Sequence, residues 1–269
     1  MSTSLLYGAN VLANGIRQHY LRYGGKGRPV ILIPGITSPA ITWGFVAERL
    51  AERLAERHDV YVLDVRGRGL SSTGPDLDYS LDAMAADVIG FAQALGVDAP
   101  ALLGHSMGAR IAMRAANTGG EFSRLALIDP PVSGPGRRPY PSKLPWYVDS
   151  IRLALAGIDA EGMKAFCPTW TESQLQLRAE WLHTCFEPAI VTAFEDFHKD
   201  DIFPDFATLK QPSMLMVAGR GGVIAPEDEA EIRGLNPAIE ISRVPNAGHM
   251  IPWDDLDGFF EALGDFLSR

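Results

Sequence analysis

Cysteine is scarce in this chain: Cys167 and Cys185 are the only two among 269 residues, and neither sits in a metal-ligand spacing. That argues against a disulfide framework and a zinc site, and leaves two packed, reduced thiols as the expectation. Long apolar runs are missing, as is an N-terminal charged-plus-apolar signal, so no membrane partner is expected and the chain reads as cytoplasmic. Basic residues are outnumbered, 24 Lys and Arg against 33 Asp and Glu, for a formal net charge of −9. Such a chain offers no basic footprint to nucleic acid, and an anionic small molecule would have to meet a local basic cluster. Nucleotide loops are lacking too. Gly24-Gly25-Lys26-Gly27 has neither the spacing nor the Ser/Thr of a phosphate loop, and Asp64-Val65-Arg66-Gly67-Arg68-Gly69-Leu70-Ser71 does not open a helix as a dinucleotide fingerprint must. No cofactor is expected. The second loop reads as structural, with Asp64 and the arginines bracing loops beside it.

What is present is a rhythm of short apolar runs and amphipathic helices. Gly15 to Tyr23 alternates like a strand after the Asn14-Gly15 turn signal, and Gly24 to Gly27 reads as closing a hairpin. Val30 to Ile33, Val60 to Leu63, Ala101 to Leu103, Leu125 to Ile128 and Met214 to Ala218 are wholly apolar, as strands buried on both faces must be, and Glu240 to Val244 is a last short strand. Helices are expected over Thr42 to Arg57, with Leu50 and Leu54 on one face, over Tyr79 to Leu95, after Ser106, and over Leu256 to Leu267. Alternation of this kind implies an α/β fold with a mostly parallel sheet. From Ser133 to Phe206 no buried-strand run occurs, and turn-rich sequence gives way to helical segments rich in Trp and Phe. We therefore expect a core domain of residues 1–132 and 207–269 with a helical cap, 133–206, inserted between sheet strands.

The chemistry centres on Ala101-Leu102-Leu103-Gly104-His105-Ser106-Met107-Gly108. An apolar strand runs into a sharp turn and a helix follows at once, which presents Ser106 at the apex of a nucleophile elbow. Gly104 and Gly108 lack the Cβ atoms that would collide where strand and helix crowd together.

This elbow, the Pro34-Gly35-Ile36-Thr37-Ser38 loop, the Asp-x-Arg-Gly-x-Gly-x-Ser loop and a terminal Gly248-His249 loop together resemble the α/β-hydrolase family. The resemblance covers the chain outside the cap. It implies a Ser, acid, His order with Ser106 as nucleophile, His249 as base, and an oxyanion hole from the backbone N–H groups of Ile36 and Met107. Most members carry the acid after the strand matched here by Met214 to Ala218, but that loop reads Gly219-Arg220-Gly221-Gly222, and Glu227 and Asp228 come a few residues late. The family's alternative position, the end of the strand after the elbow helix, is occupied by Asp129, which is the expected acid.

The segments Gly35 to Trp43, Asp129 to Arg138 and Ala218 to Gly222, with Trp146 to Ser150 and Trp181 to Cys185 in the cap, further resemble a metal-independent deformylase branch of this family that acts in aerobic nicotinate degradation. That implies a small anionic amide as substrate, cleaved at its formyl C–N bond. Arg137, Arg138 and Lys143, at the cap entrance, are the candidates for its carboxylate. Trp43, Trp146, Trp181 and His183 are candidates for shaping the pocket, with Ser38 and Thr42 as weaker ones. Two alternatives stay open: an enol-lactone or carboxylester hydrolase of the same fold, and a slow-turnover ligand sensor.

Overall fold

The expected strands are all present, with one more ahead of them. The computed structural model describes residues 4–52 and 58–269. In chain order the elements are β1 (Leu5–Ala13), β2 (Ile16–Tyr23), β3 (Arg28–Ile33), a 3-10 turn (Ala40–Trp43) leading into α1 (Gly44–Glu52), β4 (His58–Leu63), α2 (Leu81–Leu95), β5 (Ala101–His105), α3 (Met107–Asn117) and β6 (Leu125–Ile128). Next come α4 (Leu144–Leu155), α5 (Ala160–Met163), α6 (Glu172–Trp181), α7 (Glu187–Lys199) and α8 (Phe203–Thr208), and then β7 (Ser213–Ala218), α9 (Pro226–Leu235), β8 (Glu240–Val244), α10 (Ile251–Asp254) and α11 (Leu256–Leu263). Leu54 and the expected helix end at Arg57 lie outside the described residues. Between β6 and β7 the chain forms helices and loops only.

The eight strands form one sheet in the order β1-β2-β4-β3-β5-β6-β7-β8. Pairings from β4 through β8 are parallel, while β2 meets both β1 and β4 antiparallel. This corrects the hairpin reading. The tight hairpin is β1–β2, turned by Asn14 and Gly15 at φ +48° and +74°, the double positive φ that favours Asn-Gly. Gly24 to Gly27 instead leads from β2 to β3, which are separated by β4.

Side chains alternate across the parallel strands. Ile31, Ile33, Leu102, Leu125, Leu127, Leu215 and Val217 join the core that includes α2 and α3. Val30, Leu32, Leu103, Ala126, Ile128, Met214 and Met216 join the core of the opposite face, with α1 and α11. Each fully buried Val, Leu, Ile or Met side chain among them contributes about 1.5–3 kcal/mol relative to exposure. Helix ends are defined locally: the Ser80 hydroxyl accepts from Ala83 N at 3.2 Å to start α2, and Gly96 at φ +62° ends it.

This topology positions the site. β4 and β5 flank β3 on opposite sides, so the chain reverses direction across the sheet there, and a crevice opens at the carboxyl ends of β3 and β5. Ile33 pairs with Gly104, which brings the loops after these two strands out side by side.

Candidate active site

Ser106 stands between β5 and α3 with φ +54° and ψ −119°, a conformation that costs a non-glycine residue roughly 1–3 kcal/mol. Its neighbours hold it there. Ser106 N donates to Ile128 O at 2.8 Å, extending the β5–β6 ladder into the turn. A Cβ on Gly104 would strike the carbonyl of Gly108, and one on Gly108 would strike that of Ile33. Strand and helix therefore approach as closely as they do only because both positions are glycine.

The structure brings Ser106, His249 and Asp129 together across well over a hundred residues of chain. The Ser106 hydroxyl lies 3.0 Å from His249 Nε2, and His249 Nδ1 lies 2.7 Å from Asp129 Oδ2. In the tautomer this pattern needs, Nδ1–H donates to the carboxylate and Nε2 accepts from the serine. Asp129 is wholly buried at the end of β6 and also adopts a positive φ, +43°. Its carboxylate accepts from Val223 N at 3.1 Å and stands 3.5 Å from Ala218 N, so the loop after β7, which carries no acid of its own, supplies hydrogen bonds to the acid from β6. Gly222 makes the room, because a Cβ there would lie 2.8 and 2.9 Å from the two Asp129 oxygens. We expect Gly222→Ala to push the carboxylate off His249 and lower kcat roughly 10²-fold, the order associated with misplacement of about 1 Å, with the circular dichroism of the fold retained. Wild-type kcat in that variant would contradict this.

His105 supports the histidine loop from below. Its Nε2–H donates to His249 O at 2.9 Å, while Nδ1 is buried with no partner. Burial, with a smaller contribution from neighbouring His249, lowers the His105 pKa from 6.5 to about 3. The unfolded chain thus takes up a proton below pH 6.5 that the folded chain refuses, and stability present above that pH is lost as pH falls toward 3. Between pH 7 and 4.5 the wild type is expected to lose about 2 kcal/mol more than His105→Gln, which keeps a donor for His249 O. Urea unfolding at the two pH values measures it, and equal losses would count against it.

The oxyanion candidates meet at the same place. Among the described residues neither Ile36 N nor Met107 N has an acceptor. Arg68, fully buried, fixes this loop: it donates to Ile36 O at 3.0 Å, to Arg66 O at 2.7 Å and to Ala189 O of α7 at 3.3 Å. Asp64 accepts from Ala40 N at 2.6 Å, Leu70 N at 2.9 Å and His19 Nδ1 at 2.7 Å. The loop expected to brace its neighbours has these contacts to do it with.

A cavity of about 410 Å³ opens over Ser106 and His249, roofed by the segment between β6 and β7. Trp146 and Ser38 line it; the other sequence candidates for its wall do not. Arg137 pairs with Asp201 at 2.9 Å and Glu231 at 3.0 Å, Arg138 with Asp228 at 2.5 Å, and Lys143 and His183 are exposed. Trp43 is buried beneath the site, edge-on to Trp253 at 4.7 Å and 5.4 Å from the His105 ring, while Trp181 ends α6 away from the cavity. Thr42 donates to Pro39 O at 2.7 Å and lines a smaller neighbouring cavity. Residues not anticipated in the wall include Trp170, Arg178, and the buried pair Tyr140 and Tyr147, whose hydroxyls are 3.0 Å apart. Burial holds the Tyr140 pKa well above 10, so it stays a neutral hydrogen-bonding group.

The chain resembles known proteins along its length. The chain is 68% identical over 270 residues to N-formylmaleamate deformylase of Pseudomonas putida, covering all of this chain and 99% of that one. The crystal structure of an N-formylmaleamic acid deformylase from a Pseudomonas putida strain superposes with a TM-score of 0.91 at 59% identity, covering 96% of this chain and all of the other. E-2-(acetamidomethylene)succinate hydrolase shares the fold at 20% identity, with a TM-score of 0.79 over 98% of this chain and 99% of that one. A model of the alpha/beta hydrolase family matches residues 30–262, and with an eight-stranded sheet of this order and relatives of such identity, the chain belongs to the alpha/beta hydrolase family.

Proposed function

We propose that this enzyme hydrolyses the formyl C–N bond of N-formylmaleamate, giving maleamate and formate, as a cytoplasmic step of aerobic nicotinate degradation. The observation that carries the reading is the near-full-length identity to a deformylase of that specificity, joined to a serine, histidine and aspartate in hydrogen-bonded series at the floor of a small cavity. Among the described residues no helix is long and apolar enough to cross a membrane.

In this mechanism Ser106 Oγ attacks the formyl carbon while its proton passes to His249 Nε2, and Asp129 stabilises the imidazolium. The carbonyl electrons move onto oxygen, where the N–H groups of Ile36 and Met107 receive the charge. As the C–N bond breaks, His249 returns the proton to the departing nitrogen. That nitrogen belongs to a second amide, whose carbonyl delocalises its developing charge, so expulsion is easier than from an ordinary peptide. Water, deprotonated by His249, then attacks the formyl ester on Ser106, and formate leaves as the serine regains its proton.

Formate release measured on N-formylmaleamate, enol-lactones and simple esters tests the assignment. Many turnovers with formate from the first substrate are expected. Formate at background rate, with rapid ester or lactone opening, would make the chain an esterase or lactonase, and a single slow turnover would make it a ligand sensor.

A further inference from the structure

Four arginines are buried among the described residues and differ in how their charge is satisfied, Arg66 being paired with Asp87 at 2.6 Å. Arg68 is covered by three backbone carbonyls, and Arg110 by those of Pro131, Asp196 and Asp200 at 3.0, 3.2 and 2.9 Å. Arg178, only 5% exposed, has no such cover. Its Nη2 reaches Thr37 Oγ1 at 3.4 Å, its Nε is buried without a partner, and among the described residues it makes no ion pair. A guanidinium left in that state costs several kcal/mol unless something else completes it.

The surroundings supply partial compensation and leave one direction open. The guanidinium carbon lies 5.3 Å from the Trp146 ring and 5.7 Å from the Trp170 ring, within the range of cation–π attraction. Cys167, Cys185 and Tyr147 feel its charge, and burial pushes all three upward, Cys185 to about 12, so none of these three provides a counter-anion near neutral pH. Arg178 faces the same cavity as Ser106, His249 and Ile36. Packing also fixes it from behind: Leu175, Ala179 and Leu182 bury the face of α6 and the turn after it that carries Arg178.

We infer that Arg178, caged by Trp146 and Trp170, is the anchor for a substrate carboxylate. It is a built anion site that selects formyl amides bearing a carboxylate from neutral ones and seats the formyl carbon over Ser106. The inference rests on the deformylase reading for the identity of the reacting group, while the anion site itself does not. The planar fork offers paired N–H donors to both oxygens of a carboxylate in a place water scarcely reaches, where such a pairing is strong.

Maleate serves as a non-reacting probe, its binding followed by calorimetry and by the fluorescence of the two flanking indoles. Wild-type protein is expected to bind it, Arg178→Met to weaken binding about 10²-fold, and Arg178→Lys to fall between. In turnover, the kcat/KM ratio of N-formylmaleamate over its neutral methyl ester should collapse by a similar factor in Arg178→Met, chiefly through KM. Thermal melting reports whether each variant is folded. Should Arg178→Met fail to fold, Arg178→Lys and the wild-type anion-to-ester ratio still decide, since a wild type that prefers the neutral ester overturns the anchor. Maleate affinity unchanged in a folded Arg178→Met variant overturns it as well. Arg178-dependent maleate binding in a protein that releases no formate would sink the deformylase reading and leave the anchor standing.

Discussion

Ser106→Ala is expected to abolish measurable formate release, with kcat down about 10⁶-fold, the order seen when a serine nucleophile is removed from an intact triad. Without the hydroxyl no covalent formyl intermediate forms, and His249 is left to activate water that nothing positions on the formyl carbon. Ser106 is only 3% exposed, so the effect on stability rests on what the hydroxyl does in the fold. Its hydroxyl bonds to His249 at the cavity floor and interacts with the Tyr140 hydroxyl, which keeps Tyr147 as a partner, and alanine keeps the Cβ, hence the same backbone strain at φ +54°. The melting temperature should therefore stay within a few degrees of wild type, and the variant should still bind maleate through Arg178. Formate release above about 1% of wild type, in a preparation free of native enzyme, would remove Ser106 from the mechanism.

How much of this the sequence carried varies by element, for physical reasons. The parallel strands were legible because a strand covered on both faces must be apolar throughout, as Val30 to Ile33 and Leu125 to Ile128 are. The elbow was legible because its two glycines are forced by backbone carbonyls a Cβ would strike. β1 was not: Leu6 and Leu12 are 50% and 80% exposed, and an edge strand that buries so little has no strong pattern to read. Arg137 and Arg138 are turned away from the cavity by long-range pairing with Asp201, Glu231 and Asp228, carboxylates some 60 to 95 residues away that only the fold brings near. Arg178 did leave a trace. It follows Leu175 by three positions and precedes Ala179 and Leu182 by one and four, so it sits at a buried position of an otherwise apolar face. A charge in that register is the signal that distinguishes it from the solvated arginines.

Asp129→Asn is the second large effect, and it tests the displaced acid directly. The carboxylate holds His249 by accepting from Nδ1 at 2.7 Å, and Val223 N anchors the same oxygen at 3.1 Å. An asparagine fits the space under Gly222 but carries only one acceptor oxygen. If that oxygen turns toward Ala218 N, the amide group faces both Nδ1 and Val223 N as a donor and drives the imidazole to the tautomer with its proton on Nε2, which can no longer accept from Ser106. If the oxygen faces Nδ1, the tautomer survives but the imidazolium formed during attack loses its counter-charge. Either way kcat should fall by about 10⁴-fold, the loss measured for the equivalent change in other triads, while KM moves little because Asp129 does not touch the cavity. The contrast is Asp228→Asn. Asp228 binds Ala225 N at 2.8 Å at the start of α9 and pairs with Arg138, and no contact links it to His249, so activity within about threefold of wild type is expected together with a modest loss of stability of about 1 kcal/mol. Full activity in Asp129→Asn beside a dead Asp228→Asn would return the acid to the loop after β7, and would require that loop to close on His249 in a way that its glycines and the buried carboxylate of Asp129 oppose.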